Sequence, residues 1–427
     1  MPIRTFICWY NPMAPAPSDE VMARYDLIIG RGCPRERREL LRRTNPNIRF
    51  IIYVNAIDFR IPPDAHDVEF IQTGAPLAPE HRYQGLDLQR DIWVNHRDYL
   101  LRNRVPLAAG SDPRAVYVWG YQRPYDRTAS SANRFFLDPR SGWRDRYAQA
   151  CEEAVASGSY DGVFCDNAGP TIEWNFKNVP DGLKPDIDDA QWSAAMSAML
   201  SGVARRLKAG RADALVFANT CGGFIHPDAD GIAPTPFWLD SRIDGAMDEF
   251  FAYARRDGRA ESYLPEPLWR QQIRAMLCCE RLGRAYVAQA NGDELDHAAR
   301  LYSLASFLIG AGAKSVFNYN PGPAATYKLV YRFPEWDIDM GGPLEQYGGL
   351  DQALAAGQGL AYARRFERGL VLVNPSAAQV AVPLDGQMEQ VILEGGTIEH
   401  GGCAFSRPVP GPLTLPPHSA AILIHRA

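Results

Sequence analysis

Two acids stand where apolar runs stop. In "SYDGVFCDNAGP" (159–170) the stretch Val163-Phe164-Cys165 ends in Asp166, with Asn167 beside it. A second stretch, "DGAMDEFF" (244–251), echoes the first. Aligned on Asp-Gly, Glu249 falls opposite Asp166, each five residues beyond the leading Asp. Side chains alternate faces along a strand, so equal offsets give one face. Paired carboxylates can divide labour: one attacks or activates water while the other carries a proton. The structural alternative is that each acid caps a helix or meets an arginine at a rim. That alternative is stronger for Asp161 and Asp244, which precede their runs. It is also stronger for Asp248, whose parity is opposite to that of Glu249.

Such acids need elements to hold them. Eight apolar runs recur: 4–10, 25–30, 49–56, 161–166, 214–220, 244–251, 284–291 and 313–320. Helical patterns lie between most of them, at 34–44, 146–157, 188–210, 267–283 and 293–312. The alternation predicts parallel strands joined by crossover helices: an α/β fold, a (β/α)8 TIM barrel over residues 1–345. An open doubly wound sheet is the alternative. Neither GxGxxG nor GxxxxGK[ST] occurs to support it. Residues 57–135 read as an elaborated third βα unit, with a helix near 86–103 and an extra strand at 115–121. Its aromatics Trp93, Tyr117, Trp119, Tyr121 and Tyr125 suit either a cleft or the core. Residues 350–427 lose the helical period and read as an antiparallel β-sandwich domain packed on the barrel.

By this count Asp166 and Glu249 end the fourth and sixth strands. Alternate strands of such a barrel share inner layers, so both acids are expected at one height, at the C-terminal ends where these barrels do chemistry. Strand spacing puts the carboxyls about 5–9 Å apart. A glycosidase pair needs about 5–5.5 Å for retention or about 6.5–9.5 Å for inversion, so spacing leaves both open. Neutral polar groups and aromatics cluster at the other strand ends and in the following loops: Trp9, Tyr10, Asn55, Asp58, Asn167, Trp174, Asn219, Gln289, Asn318 and Tyr319. Arg31 is the cation close behind a strand end. This set fits a sugar, bound through hydrogen bonds and stacked rings, better than a phosphorylated ligand.

Composition narrows the classes further. Hydrophobic residues make up 46% and charged residues 22%, enough for a sizeable core. The net charge of −5 argues against nucleic acid. No run of 18 apolar residues is present, so no membrane-spanning segment is expected. The opening MPIRTFICWYNP lacks a signal-peptide pattern; a cytoplasmic location is expected, a removed signal being the alternative. The eight cysteines are scattered without CxxC and read as buried free thiols. The eight histidines form neither HxH nor HExxH, so no metal and no cofactor is expected.

"YDGVFCDN", "DGAMDEFF", "PEWDIDMGGP" (334–343) and "RGLVLVNPS" (368–376) together resemble hypothetical glycosyl hydrolase family fifteen, over nearly the whole chain. The resemblance implies a (β/α)8 barrel with a C-terminal β-sandwich and hydrolysis of a glycosidic bond. An acid after the fourth strand and another after the sixth is more distantly similar to α-galactosidases and dextranases. That similarity implies Asp166 as nucleophile and Glu249 as acid/base. This chain has Cys165 where an aliphatic residue is usual, and Asp248 next to Glu249. Given those roles, Asn167 and Asn219 are expected to donate to Asp166. Met247, Phe250 and Phe251 are expected to favour a protonated Glu249. The expected activity is hydrolysis of an α-linked oligo- or polysaccharide with retention. The rivals are a non-catalytic carbohydrate-binding barrel and a metal-dependent hydrolase using Asp166, Glu249 and a histidine such as His226.

Overall fold

The computed structural model describes residues 3–10, 15–60, 91–92, 95–105, 117–118, 134–156, 158–176, 181–220, 222, 234–254, 262–322, 329–384, 387–409 and 411–425. Eight parallel strands form one sheet: β1 (Phe6–Cys8), β2 (Leu27–Ile29), β3 (Arg49–Asn55), β4 (Gly162–Asp166), β5 (Leu215–Asn219), β6 (Gly245–Asp248), β7 (Ala285–Gly292) and β8 (Val316–Pro321). A bridge between Thr5 and Phe317 closes it. Each strand is followed by its helix: α1 (Asp19–Met22), α2 (Arg35–Thr44), α3 (Trp143–Ala156), α4 (Asp189–Gly210), α5 (Pro236–Asp240), α6 (Glu266–Arg281), α7 (His297–Gly310) and α8 (Leu350–Ala356). This is the expected (β/α)8 barrel.

The register identifies the barrel more closely. Carried at constant register from Asn55, the partner positions run Asp166, Asn219, Met247, Val287, Val316, Arg4, Tyr25 and Asn47. The path leaves β3 at 55 and returns to it at 47, a shear of eight, the value for this barrel class. Its interior is filled by Phe6, Leu27, Ile29, Ile51, Phe164, Phe217, Met247, Val287 and Val316, among others.

The Asp-Gly halves of the echo build the opposite, N-terminal end. Asp26 accepts the Thr5 N–H at 2.8 Å, Asp161 that of Phe50 at 2.8 Å, and Asp244 that of Val216 at 2.8 Å. Ser315 Oγ accepts from Tyr286 N at 3.2 Å. Before every even-numbered strand, then, a side-chain oxygen receives an N–H at the start of the preceding odd strand. The glycines serve close approach. A Cβ at Gly162 would collide with the Leu215 carbonyl, and one at Gly245 would lie 2.8 Å from Ala285 Cβ.

The tail forms a five-stranded antiparallel sheet in the order Tyr362–Phe366, Gly369–Asn374, Ser419–His425, Met388–Glu394, Cys403–Pro408. A two-stranded ribbon, Val380–Val382 with Leu413–Leu415, completes a sandwich around Leu372, Met388 and Leu423. The sheet's other face sends Val371, Val373 and Ile422 into the barrel's outer core. Arg364 caps α7, donating to Leu308 O at 2.9 Å and Ala311 O at 2.5 Å.

Two expectations need correction. The tail is not purely β: α8 occupies 350–356, its Leu350, Ala353 and Leu354 spaced to make one apolar face. Cys403 is exposed, whereas Cys8, Cys33, Cys151, Cys165, Cys278 and Cys279 are buried free thiols; Cys221 lies outside the described residues. In the third unit, an antiparallel pair, Asp58–Arg60 with Arg134–Phe136, closes the base of the insertion. Most of the insertion, with Trp93, Trp119, Tyr121 and Tyr125, lies outside the described residues. Of the predicted strand at 115–121, the described part is Tyr117–Val118, where Tyr117 bridges Arg102 and packs against the core.

Candidate active site

Asp166 is the last residue of β4, on the same inward face as Phe164. Asn219 Nδ2 donates to its Oδ1 at 2.9 Å. Tyr53 Oη and Asn167 Nδ2 donate to its Oδ2 at 2.5 and 3.2 Å. Asn167 adopts φ +55°, a left-handed turn that asparagine tolerates. This bend ends the strand and brings the amide back beside the carboxylate. These three are neutral donors.

Glu249 lies one residue beyond β6. The strand stops there because Asp248 Oδ1 accepts the N–H of Phe250 at 3.0 Å, an Asx-type turn. The Glu249 carbonyl is held from β7 by Asn291 Nδ2 at 2.6 Å. Asn291 Oδ1 in turn accepts from Asn320 Nδ2 at 3.3 Å. The adjacent acid, Asp248, turns the other way. It is buried against α6, where Gln272 Nε2 and Tyr286 Oη donate to its Oδ2 at 2.8 and 2.9 Å.

The shear sets the heights. Following register partners from β4 descends one residue per strand, so the level partner of Asp166 two strands on lies two residues past Met247, at Glu249. The same construction gives an upper layer of Arg31, Asp166, Glu249 and Asn320. The layer beneath consists of Cys8, Tyr53, Asn219 and Gln289. Below them the interior is apolar apart from Asn318. Cys8 senses both acids. Burial pushes its thiol up, Tyr10 works against this, and the negative charges of Glu249 and Asp166 push it further.

The structure brings several sequence candidates to this end of the barrel. Tyr10 packs on Tyr53 with ring centroids 4.7 Å apart. Asn55 Nδ2 donates to Tyr53 Oη at 3.2 Å. Gln289 Oε1 lies 3.9 Å from Cys8 Sγ. Asn318 lies 3.2 Å from Tyr331 Oη. Two candidates belong elsewhere. Trp9 and Tyr319 are 2% and 1% exposed and pack between barrel wall and helices. Trp9 lies one residue beyond inward Cys8, and Tyr319 one beyond inward Asn318, so pleat parity turns both outward. Phe251 is likewise in the outer core, edge-on to Tyr286, while Met247 lies in the inner stack. Asp58 pairs through its backbone with Phe136, and Trp174 lies in a 3-10 turn, Glu173–Phe176. His226 is outside the described residues. Among the described residues, no group of three or more His, Cys, Asp or Glu side chains is gathered as for a metal ion, and no helix is long and apolar enough to cross a membrane.

Sequence reasoning missed Tyr53. In "RFIIYVNA" a tyrosine reads as an ordinary strand former. The available signal was its parity, two residues before Asn55 and therefore inward.

The sequence profile of hypothetical glycosyl hydrolase family 15 matches residues 114–370. No curated protein gives a significant match. Among solved structures, the glycoside hydrolase domain of PelA from Pseudomonas aeruginosa is 14% identical with a TM-score of 0.41, over 74% of this chain and 94% of that one. Amy13B from Eubacterium rectale is 12% identical with a TM-score of 0.47, over 100% and 97%. The debranching enzyme from Nostoc punctiforme is 14% identical with a TM-score of 0.43, over 99% and 98%.

Proposed function

The chain belongs to hypothetical glycosyl hydrolase family 15 and is a glycoside hydrolase, and from that premise we propose that it cleaves an α-linked oligo- or polysaccharide with retention, using Asp166 as nucleophile and Glu249 as acid/base. One observation carries the assignment. Asp166 faces inward at the C-terminal end of β4 and accepts from three neutral donors, Tyr53, Asn167 and Asn219. Such a carboxylate keeps its charge and a fixed orientation, as a nucleophile requires. Glu249, in the same layer on β6's continuation, is the acid that protonates the leaving oxygen and then activates water. Asp248 is unsuited to that role because its carboxylate is spent on Gln272 and Tyr286 in the helix layer.

In the first step a bond forms from a carboxylate oxygen of Asp166 to the anomeric carbon, while the glycosidic oxygen leaves with the proton of Glu249. In the second, Glu249 takes a proton from water, which displaces Asp166. The stereochemistry is tested by following the released sugar with proton NMR, using the first glycan found to be cleaved. The first-formed anomer should match the substrate's configuration. The opposite anomer would show inversion and remove the nucleophile role.

A further inference from the structure

We propose that Tyr53 is the positioning residue of Asp166, its hydroxyl proton committed to Asp166 Oδ2 by a one-way hydrogen-bond relay through Asn55. The inference rests on the reading of Asp166 as nucleophile and deepens it. The relay begins at the backbone. Ile57 N–H donates to Asn55 Oδ1 at 3.2 Å, which fixes the amide with Nδ2 toward Tyr53. Asn55 Nδ2 lies 3.2 Å from Tyr53 Oη. An amide nitrogen only donates, so the phenol oxygen accepts there and its single proton is left for Asp166 Oδ2, 2.5 Å away. A bond this short is of the charge-assisted kind.

The ring is held as well. Tyr10 and Phe164 pack on it at 4.7 and 6.3 Å between centroids. Tyr53 therefore does two things. It selects the carboxylate, which accepts, over the acid, which must also donate. It also orients the carboxylate without neutralising it, so the negative charge remains for the positive charge that develops on the sugar. Among the described residues, Cys8, Tyr10, Arg31, Glu249 and Tyr331 are further ionisable side chains at this end of the barrel, and all stay unchanged in the variants below.

The titration arm of the test needs no substrate. Protein labelled with carbon-13 at the aspartate carboxyl is titrated by NMR, and the Asp166 resonance is assigned by its loss in Asp166→Asn. Tyr53→Phe should raise the Asp166 midpoint by about one pH unit or more, as loss of a hydrogen bond to a charged group requires. Asn55→Ala should move it the same way by less. Unchanged circular dichroism shows that the fold survives. An unmoved midpoint in Tyr53→Phe, or an upward shift in Asn55→Ala larger than in Tyr53→Phe, overturns the relay. A shifted midpoint together with full hydrolytic activity in Asp166→Asn keeps the positioning role and sinks the nucleophile reading, so the two failures are distinguishable.

Discussion

At the scale of residues, the site is two acids held in different ways in one layer. Asp166 accepts from Tyr53, Asn167 and Asn219. Glu249 is placed by its backbone, through Asn291, at the same level. The division of labour predicts unlike mutants. Glu249→Ala should lose about 10²–10⁴-fold on natural glycans but far less on substrates with good leaving groups, which need little protonation. Azide should partly rescue it. Asp166→Ala should be nearly inactive on both. The reverse pattern would exchange the roles. The echo of Asp166 in Glu249 was legible because a strand's parity is written in its sequence. The environment of Asp166 was legible only in part. Asn167 and Asn219 are neighbours in sequence or at an obvious strand end, whereas Tyr53 depends on the pairing of β3 with β4. Trp9 and Tyr319 have chemistry that suits sugars, but their parity turns them outward into the core.

At the scale of elements, the barrel separates stability from chemistry. The C-terminal strand ends carry the acids. The N-terminal ends carry Asp26, Asp161, Asp244 and Ser315, each accepting an N–H from the neighbouring strand. Asp161 also receives Arg42 at 2.9 Å and Arg211 at 3.2 Å. Asp161→Ala leaves the Phe50 N–H without its acceptor and takes one carboxylate from Arg42 and Arg211. It should cost about 1–3 kcal/mol in urea unfolding while leaving kcat unchanged. A loss of kcat with full stability would contradict the separation. All eight barrel strands were legible from their apolar runs, because buried parallel strands are short, apolar and evenly punctuated. The short helix α8 was not, since seven residues hold too few turns to show a period beside Gly-rich flanks.

At the scale of the molecule, the tail and barrel are joined by polar contacts as well as by apolar area. Arg300 and Glu335, both in the barrel, are 0% and 1% exposed and pair bidentately at 2.9 and 2.7 Å, and the guanidinium so held donates to the tail at Gly395 O. Glu335→Gln should destabilise by about 3–5 kcal/mol, because it leaves a buried guanidinium uncompensated. An unfolding midpoint equal to that of the wild type would contradict this. Glu294 clasps the tail through Thr397 N at 2.8 Å and His400 Nδ1 at 2.6 Å. Burial works to raise its carboxyl, but these partners prevail and hold it below the usual range. A depressed carboxylate contributes stability above its unfolded value of about 4.3 and loses it as pH falls through the folded value. The gap in urea midpoint between wild type and Glu294→Gln should therefore be full at neutral pH and close below about pH 4; a gap constant with pH would refute the clasp. Removing the tail near residue 345 exposes the apolar face under Val371, Val373 and Ile422, and the truncated protein should aggregate. The central claim is tested most directly by digesting a panel of α- and β-linked glycans with wild type, Asp166→Asn and Glu249→Gln, and measuring new reducing ends. The account predicts release from at least one α-linked glycan by the wild type and its loss in both folded variants. Undiminished release by either variant, or none by the wild type on any glycan, would contradict it.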